Sequence, residues 1–178
     1  MLMAVADGLG HGLEAAQAAD LAMRCVGALS NASMEHIFSE CDAHLRSTRG
    51  VAMAIAVVHL ESGLATLASV GNIRMVLSAA SKDYRFGAAR GIVGGGYARL
   101  STEHISLVPG DVLAIFSDGL SEFTDLRTAL AASPDISDLH TANLLRLWAN
   151  RKDDAALLLY RHASLSTEKP TPVCNPTL

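Results

Sequence analysis

Three acidic segments, far apart in the chain, carry the chemistry this sequence can offer. They are Ala6-Asp7-Gly8-Leu9-Gly10-His11-Gly12, Phe116-Ser117-Asp118-Gly119-Leu120 and Lys152-Asp153-Asp154-Ala155-Ala156. Each sets an aspartate beside a short apolar run of strand character. Carboxylates brought to strand ends from distant segments suit a hard divalent cation, because Mg²⁺ and Mn²⁺ take oxygen ligands and keep several waters. Such a centre activates water for hydrolysis. Asp7-Gly8 or Asp118-Gly119 alone reads as a plain turn, and Asp153-Asp154 alone as a solvated pair. It is their combination that points to metal.

Other residues are weighed against that centre. His11 is a candidate general acid, since the imidazole type is the side chain suited to proton transfer near neutral pH; the plainer alternative is a helix cap or turn hydrogen bond. Arg74 and Arg90 could donate bidentate hydrogen bonds to phosphate, or simply be solvated. The glycines of Gly8-Leu9-Gly10-His11-Gly12 have GxGxG spacing rather than GxGxxG, and an aspartate at their head would repel a pyrophosphate. Gly91-Ile92-Val93-Gly94-Gly95-Gly96 lacks the Lys-Ser/Thr of a phosphate-binding loop and reads as a flap or turn. The other histidines show no ligand spacing, and Trp148 reads as core.

The elements that must position these residues follow from periodicity and turn signals. Strands are expected at 2–6, 51–60, 64–70, 73–78, 105–107, 112–116 and 155–160. Helices are expected at 13–29, 33–47, 120–132 and 138–150. In the first helix Leu13, Ala16, Ala19, Leu21, Cys25 and Leu29 can share an apolar stripe. In the second, Ser33 is a candidate N-cap, with Ile37, Cys41 and Leu45 on one face. Residues 79–96 read as loop. The hairpin at Glu61-Ser62-Gly63 favours an α+β fold of antiparallel sheets over alternating parallel strands.

Composition narrows the class. The 178 residues are half apolar, only 4% aromatic, and carry a net charge of −4, so one domain with a core of small side chains is expected. Nothing in that charge suits nucleic acid or a membrane surface. No apolar run reaches the roughly 20 residues of a membrane span, and the start reads as a strand rather than a leader. Cys25, Cys41 and Cys174 form no CxxC pair, which suggests a reducing, cytoplasmic setting. Residues 1–163 are expected to form the domain and 164–178 a disordered polar tail.

In their order, these segments resemble the metal-dependent protein phosphatase (PPM) family, in its bacterial SpoIIE/RsbX-like branch. The first segment resembles the DGxGHG motif, and Gly50 to Leu77, with Gly71-Asn72, resembles the middle hairpins. Pro109-Gly110-Asp111-Val112 through Asp118-Gly119-Leu120-Ser121-Glu122 resembles the GD…(S/T)DGL-E segment, and Lys152-Asp153-Asp154 with the strand after it resembles the closing motif. The resemblance covers about residues 1–162. It implies two stacked antiparallel β-sheets flanked by helices, an α-β-β-α sandwich. The family's usual N-terminal strands, with their Gly-Asp pair, have no counterpart here, so an N-terminally incomplete domain is expected. Ala156 stands where the family often has Thr.

The resemblance further implies two Mg²⁺ or Mn²⁺ ions. Asp7 would bridge them, the Gly8 carbonyl would serve one, and Asp118 and Asp153 would complete the other. The implied reaction is hydrolysis of phosphoserine or phosphothreonine on a regulatory protein by direct attack of a metal-bridged water. The implied partner is a phosphorylated anti-sigma antagonist or stressosome-like protein, in partner-switching or stress signalling. The alternatives are a non-catalytic phosphatase-like binding module, a truncated and poorly active enzyme, or a hydrolase of small phosphoesters.

Overall fold

The computed structural model describes residues 1–121, 125–131, 136–150 and 154–163. Two four-stranded antiparallel sheets form its centre. The first has the order β1 (Leu2–Gly8), β2 (Val51–Val58), β3 (Leu64–Val70), β8 (Glu103–Ser106). The second has the order β10 (Leu157–Arg161), β9 (Val112–Phe116), β4 (Arg74–Ser78), β5 (Asp83–Arg85). A small hairpin, β6 (Gly91–Ile92) with β7 (Gly96–Tyr97), stands apart. This is the α+β architecture expected from the hairpin at Gly63.

Three apolar layers hold it together. The inner faces of the sheets meet through Met3, Val5, Ala54, Met75, Leu113 and Ile115. The outer face of the first sheet is covered by α1 (Leu13–Ala28) and α2 (Met34–Leu45), with Phe38, Met53 and Ile55 fully buried. The outer face of the second carries α3 (Leu126–Ala131) and α4 (Asp138–Trp148), packed on Val76, Ala114 and Phe116. Coverage on both faces explains why β2 reads as a continuous apolar run rather than an alternating one. Among the described residues no helix is long and apolar enough to cross a membrane.

Several expectations shift in detail. The α1 stripe is rotated: Ala15, Ala18, Ala22 and Val26 are buried, and of the expected stripe Leu21, Cys25 and Leu29 pack partly buried beside them while Leu13 is 74% exposed. Alanines win the inner face because they let the helix lie close to the sheet, which the larger Leu13 would prevent. On α2, Ile37, Cys41 and Leu45 are buried as expected, and the Ser33 hydroxyl accepts from the His36 N–H. The expected loop at 79–96 holds β5, β6 and β7, whose two- and three-residue lengths leave no periodic signal. The expected helix at 120–132 is described only as α3, and Leu120 instead bridges Ala149. On α4, Leu144 is buried but Leu147 is 75% exposed, and Trp148 packs only partly buried against the helical layer. The expected tail, 164–178, lies outside the described residues.

Two substitutions test these layers. Phe38 is fully buried, with its ring edge-on to Tyr97 at 6.3 Å, so Phe38→Ala is expected to cost about 3–5 kcal/mol in urea unfolding. Ser33→Ala, which removes only a cap, is expected to cost about 1 kcal/mol.

Candidate metal centre

The candidate acids converge because the chain crosses from one sheet to the other beside them. Asp7 sits near the end of β1, opposite Ala52 of β2. Ala52 lies against Gly71, in the turn that leaves β3 in the first sheet for β4 in the second. The next residue, Asn72, donates from Nδ2 to Asp118 Oδ2 at 2.5 Å. Asp7 and Asp118 therefore share one end of the sandwich, and β1 contacts β9 across the sheet interface.

Asp118 is held on several sides. Besides Asn72, its carbonyl accepts from Asn150 Nδ2 at 3.2 Å, and the Gly119 carbonyl accepts the Asn150 N–H at 2.9 Å. Ser117 locks the same turn onto the chain before β10: its N–H donates to the Ala156 carbonyl, and its Oγ accepts the Ala156 N–H at 3.0 Å. A Cβ at Gly119 would overlap the Asp154 carbonyl, and one at Gly8 would overlap the Ala15 carbonyl of α1. Both Asp-Gly pairs thus need glycine for close backbone approach, a stricter demand than a turn makes.

One atom in this arrangement has no partner. Asp118 Oδ1 is buried without a hydrogen bond, a costly state for a carboxylate oxygen. A carboxylate oxygen left open in this way suits a hard cation such as Mg²⁺ or Mn²⁺, which takes oxygen ligands. Asp7 is half-buried and already interacts with a neighbouring group. Gly8 is buried at the mouth of the loop. Asp153 lies outside the described residues, and among those described no three His, Cys, Asp or Glu side chains group closely enough to hold an ion.

The remaining candidates fall around this end. His11 is exposed on the loop between β1 and α1, and α1 takes Gly12 as its N-cap with no side-chain hydrogen bond. Arg74 opens β4 opposite Phe116, half-buried and in interaction with a neighbour. Arg90 is exposed; the preceding Ala89 accepts the Gly71 N–H at 2.9 Å, which places Arg90 beside the Asn72 turn. The glycine-rich hairpin is anchored rather than free: Val93 pairs with Val51, and the Gly94 N–H donates to Asp42 Oδ1 at 2.8 Å.

Asn72 and Asn150, which hold Asp118, and Arg49, beside the Gly8–Gly12 loop, are not singled out by the sequence. Gly71-Asn72 was visible as a turn, and its asparagine was the available clue. Arg49 bonds Glu14 at 2.6 Å and lies over Gly10; nothing in its sequence context marks it.

Two face-to-face antiparallel sheets with helices outside, and acids from separate strand ends at one edge, define the metal-dependent protein phosphatase fold. The family model for Stage II sporulation protein E (SpoIIE) matches residues 1–163, and the chain belongs to that family. Phosphoserine phosphatase RsbX of Bacillus subtilis (strain 168) is 27% identical over 161 residues, covering 89% of this chain and 79% of that protein. The crystal structure of RsbX in complex with magnesium superposes with a TM-score of 0.77 at 28% identity, over 89% of this chain and 79% of that one. A solved structure described as "The bacterial stressosome: a modular system that has been adapted to control secondary messenger signaling" reaches 0.83 at 32% identity, over 89% and 83%. The Mycobacterium tuberculosis serine/threonine phosphatase PstP/Ppp shares the fold, with a TM-score of 0.69 at 16% identity, over 92% and 88%.

Because Asn72 is the side chain that orients Asp118, Asn72→Ala is expected to weaken Mn²⁺ binding by about 10–100-fold in calorimetry, the usual effect of losing a partner behind a metal ligand. Unchanged affinity would mean that Asp118 does not bind the ion.

Proposed function

We propose that this protein hydrolyses phosphoserine or phosphothreonine on a phosphorylated regulatory protein, in the cytoplasm, within a bacterial partner-switching or stress-signalling circuit. The observation that carries this is the partnerless, buried Oδ1 of Asp118, held by Asn72 at the end of the sandwich that also receives Asp7. The kinship with phosphoserine phosphatase RsbX supports the substrate class, and the magnesium complex of RsbX supports the choice of ion.

Asp7, the Gly8 carbonyl, Asp118 and Asp153 would hold two Mg²⁺ or Mn²⁺ ions. When bound, such ions supply an activated water and offset charge on the phosphoryl oxygens. The protein's own groups do the rest. The Asn72 and Asn150 hydrogen bonds keep the Asp118 turn from relaxing, so its geometry is set before substrate arrives. The slim Gly8–Gly12 loop leaves the phosphoryl group room to approach. His11, exposed on that loop, would protonate the departing serine or threonine oxygen. Arg74 and Arg90, on either side of the Asn72 turn, would orient the phosphate.

Turnover of a phosphoserine peptide and of p-nitrophenyl phosphate tests this. It is expected to require Mn²⁺ or Mg²⁺, and Asp118→Asn should lower it by more than about 100-fold, beyond what losing an outer partner causes. His11→Ala should spare p-nitrophenyl phosphate, whose leaving group needs little protonation, more than the phosphoserine peptide. Metal-independent turnover, or an Asp118→Asn enzyme of normal activity, would overturn the reading. Metal binding without turnover would mark a phosphatase-like binding module.

A further inference from the structure

Arg49 stands against the loop that carries Asp7, Gly8 and His11, and the candidate metal centre does not use it. Its backbone is fixed on both sides. Thr48 Oγ1 donates to the Leu45 carbonyl at 2.7 Å and accepts the Gly50 N–H at 3.0 Å, which closes the turn after α2. The Gly50 carbonyl accepts the Leu9 N–H at 3.0 Å, and Val51 pairs with Val93 of the glycine-rich hairpin. Gly50 has a φ of +75°, and a Cβ there would overlap the Val93 carbonyl. Arg49 is therefore presented to the loop by a segment with little freedom to move.

The side chain is tethered at one nitrogen only. Nε donates to Glu14 Oε2, in the first turn of α1, at 2.6 Å. Nη1 lies over the loop, where a Cβ built on Gly10 would stand only 2.8 Å from it. Among the described residues Nη1 and Nη2 donate to no protein acceptor, and the side chain is 49% exposed. A guanidinium presents its N–H donors in one plane. The bond at Nε therefore orients that plane and leaves the Nη donors open beside the loop.

We infer, on the proposed phosphatase reading, that Arg49 contacts the substrate's phosphoryl group, donating from its Nη atoms to a phosphoryl oxygen while Glu14 holds the guanidinium in place. The need is electrostatic. Asp7, Asp118, Asp153 and Glu14 gather carboxylates at this end of the molecule, and a phosphate dianion approaching them gains from fixed positive charge. A guanidinium suits the task because its planar fork matches phosphate oxygens, and its charge persists at every working pH. Arg74 and Arg90 belong to the Asn72 turn, whereas Arg49 belongs to the Asp7–Gly12 loop. The phosphoryl group thus meets cationic donors from separate elements, and His11 lies on the same loop as the Arg49 contact.

The probe is inorganic phosphate, titrated by calorimetry into the full chain at saturating Mg²⁺. Arg49→Met keeps the stem and removes the fork; its phosphate affinity is expected to fall ~10–100-fold, the loss of a charge-assisted hydrogen bond. Its Mg²⁺ affinity and thermal midpoint should match the native chain, since an ion pair this exposed adds little stability. With a phosphoserine peptide KM should rise by a like factor, and Arg49→Lys should recover part of the loss, keeping the charge without the fork. Phosphate affinity undiminished in Arg49→Met, or a native chain that binds no phosphate, would overturn the inference. So would an equal loss of Mg²⁺ affinity, because Arg49 would then act on the loop rather than on the substrate. Phosphate bound through Arg49 without turnover of any phosphoester would sink the hydrolysis and leave the contact standing.

Discussion

The hydrogen bond from Asn72 to Asp118 is the contact on which the candidate centre depends. It joins the crossover between the two sheets to the end of a central strand, so it couples sheet stacking to carboxylate orientation. A carboxylate on a free turn would swing into solvent and satisfy both oxygens with water. Here one oxygen is bound by an amide and the other is buried without a partner. That asymmetry can persist only because Ser117 and Asn150 hold the backbone on either side of the turn. The fold thereby carries a local cost that a cation would relieve.

The same constraint explains the glycines. At Gly8 and Gly119 the neighbouring backbone lies where a Cβ would go, a carbonyl of α1 in one case and of Asp154 in the other. The two Asp-Gly pairs are therefore packing sites as well as turns. Each fixes its aspartate by pressing the next residue against a separate element. The family pattern and the packing requirement coincide at these positions because the packing sets where each candidate aspartate lies.

The fold was legible in broad outline and the site only in part. The hairpin at Gly63, the buried run of β2 and the capped helix at Ser33 were readable because each has a local signal: a turn, an apolar run, or a hydroxyl ahead of an amphipathic stretch. The phase of α1 was not, because alanine contributes so little hydrophobicity that larger side chains dominate any stripe drawn through them. The strands within 79–96 were hidden because their pairing is made by backbone alone over two or three residues. Asp7 and Asp118 could be put forward as candidates from the residues around them. Asn72 and Asn150 could not be assigned, since an amide that orients a carboxylate in another element leaves no trace in local spacing.

The alanine-rich composition, which first suggested only a core of small side chains, has a geometric role. Ala15, Ala18 and Ala22 of α1 and Ala52, Ala54 and Ala56 of β2 are buried where the helix meets the first sheet and where the sheets meet each other. Small side chains at these contacts bring backbones close, and interiors packed to native density transmit such placements with little slack. Because α1 follows directly from the Asp7 loop, its distance from the sheet sets the depth of that loop. Larger residues on that face would bury more apolar surface yet lift α1 away from Gly8 and shift Asp7 with it. An alanine face therefore favours the position of the candidate ligand over the greatest possible burial, which is the balance expected where an element serves a site as well as a core.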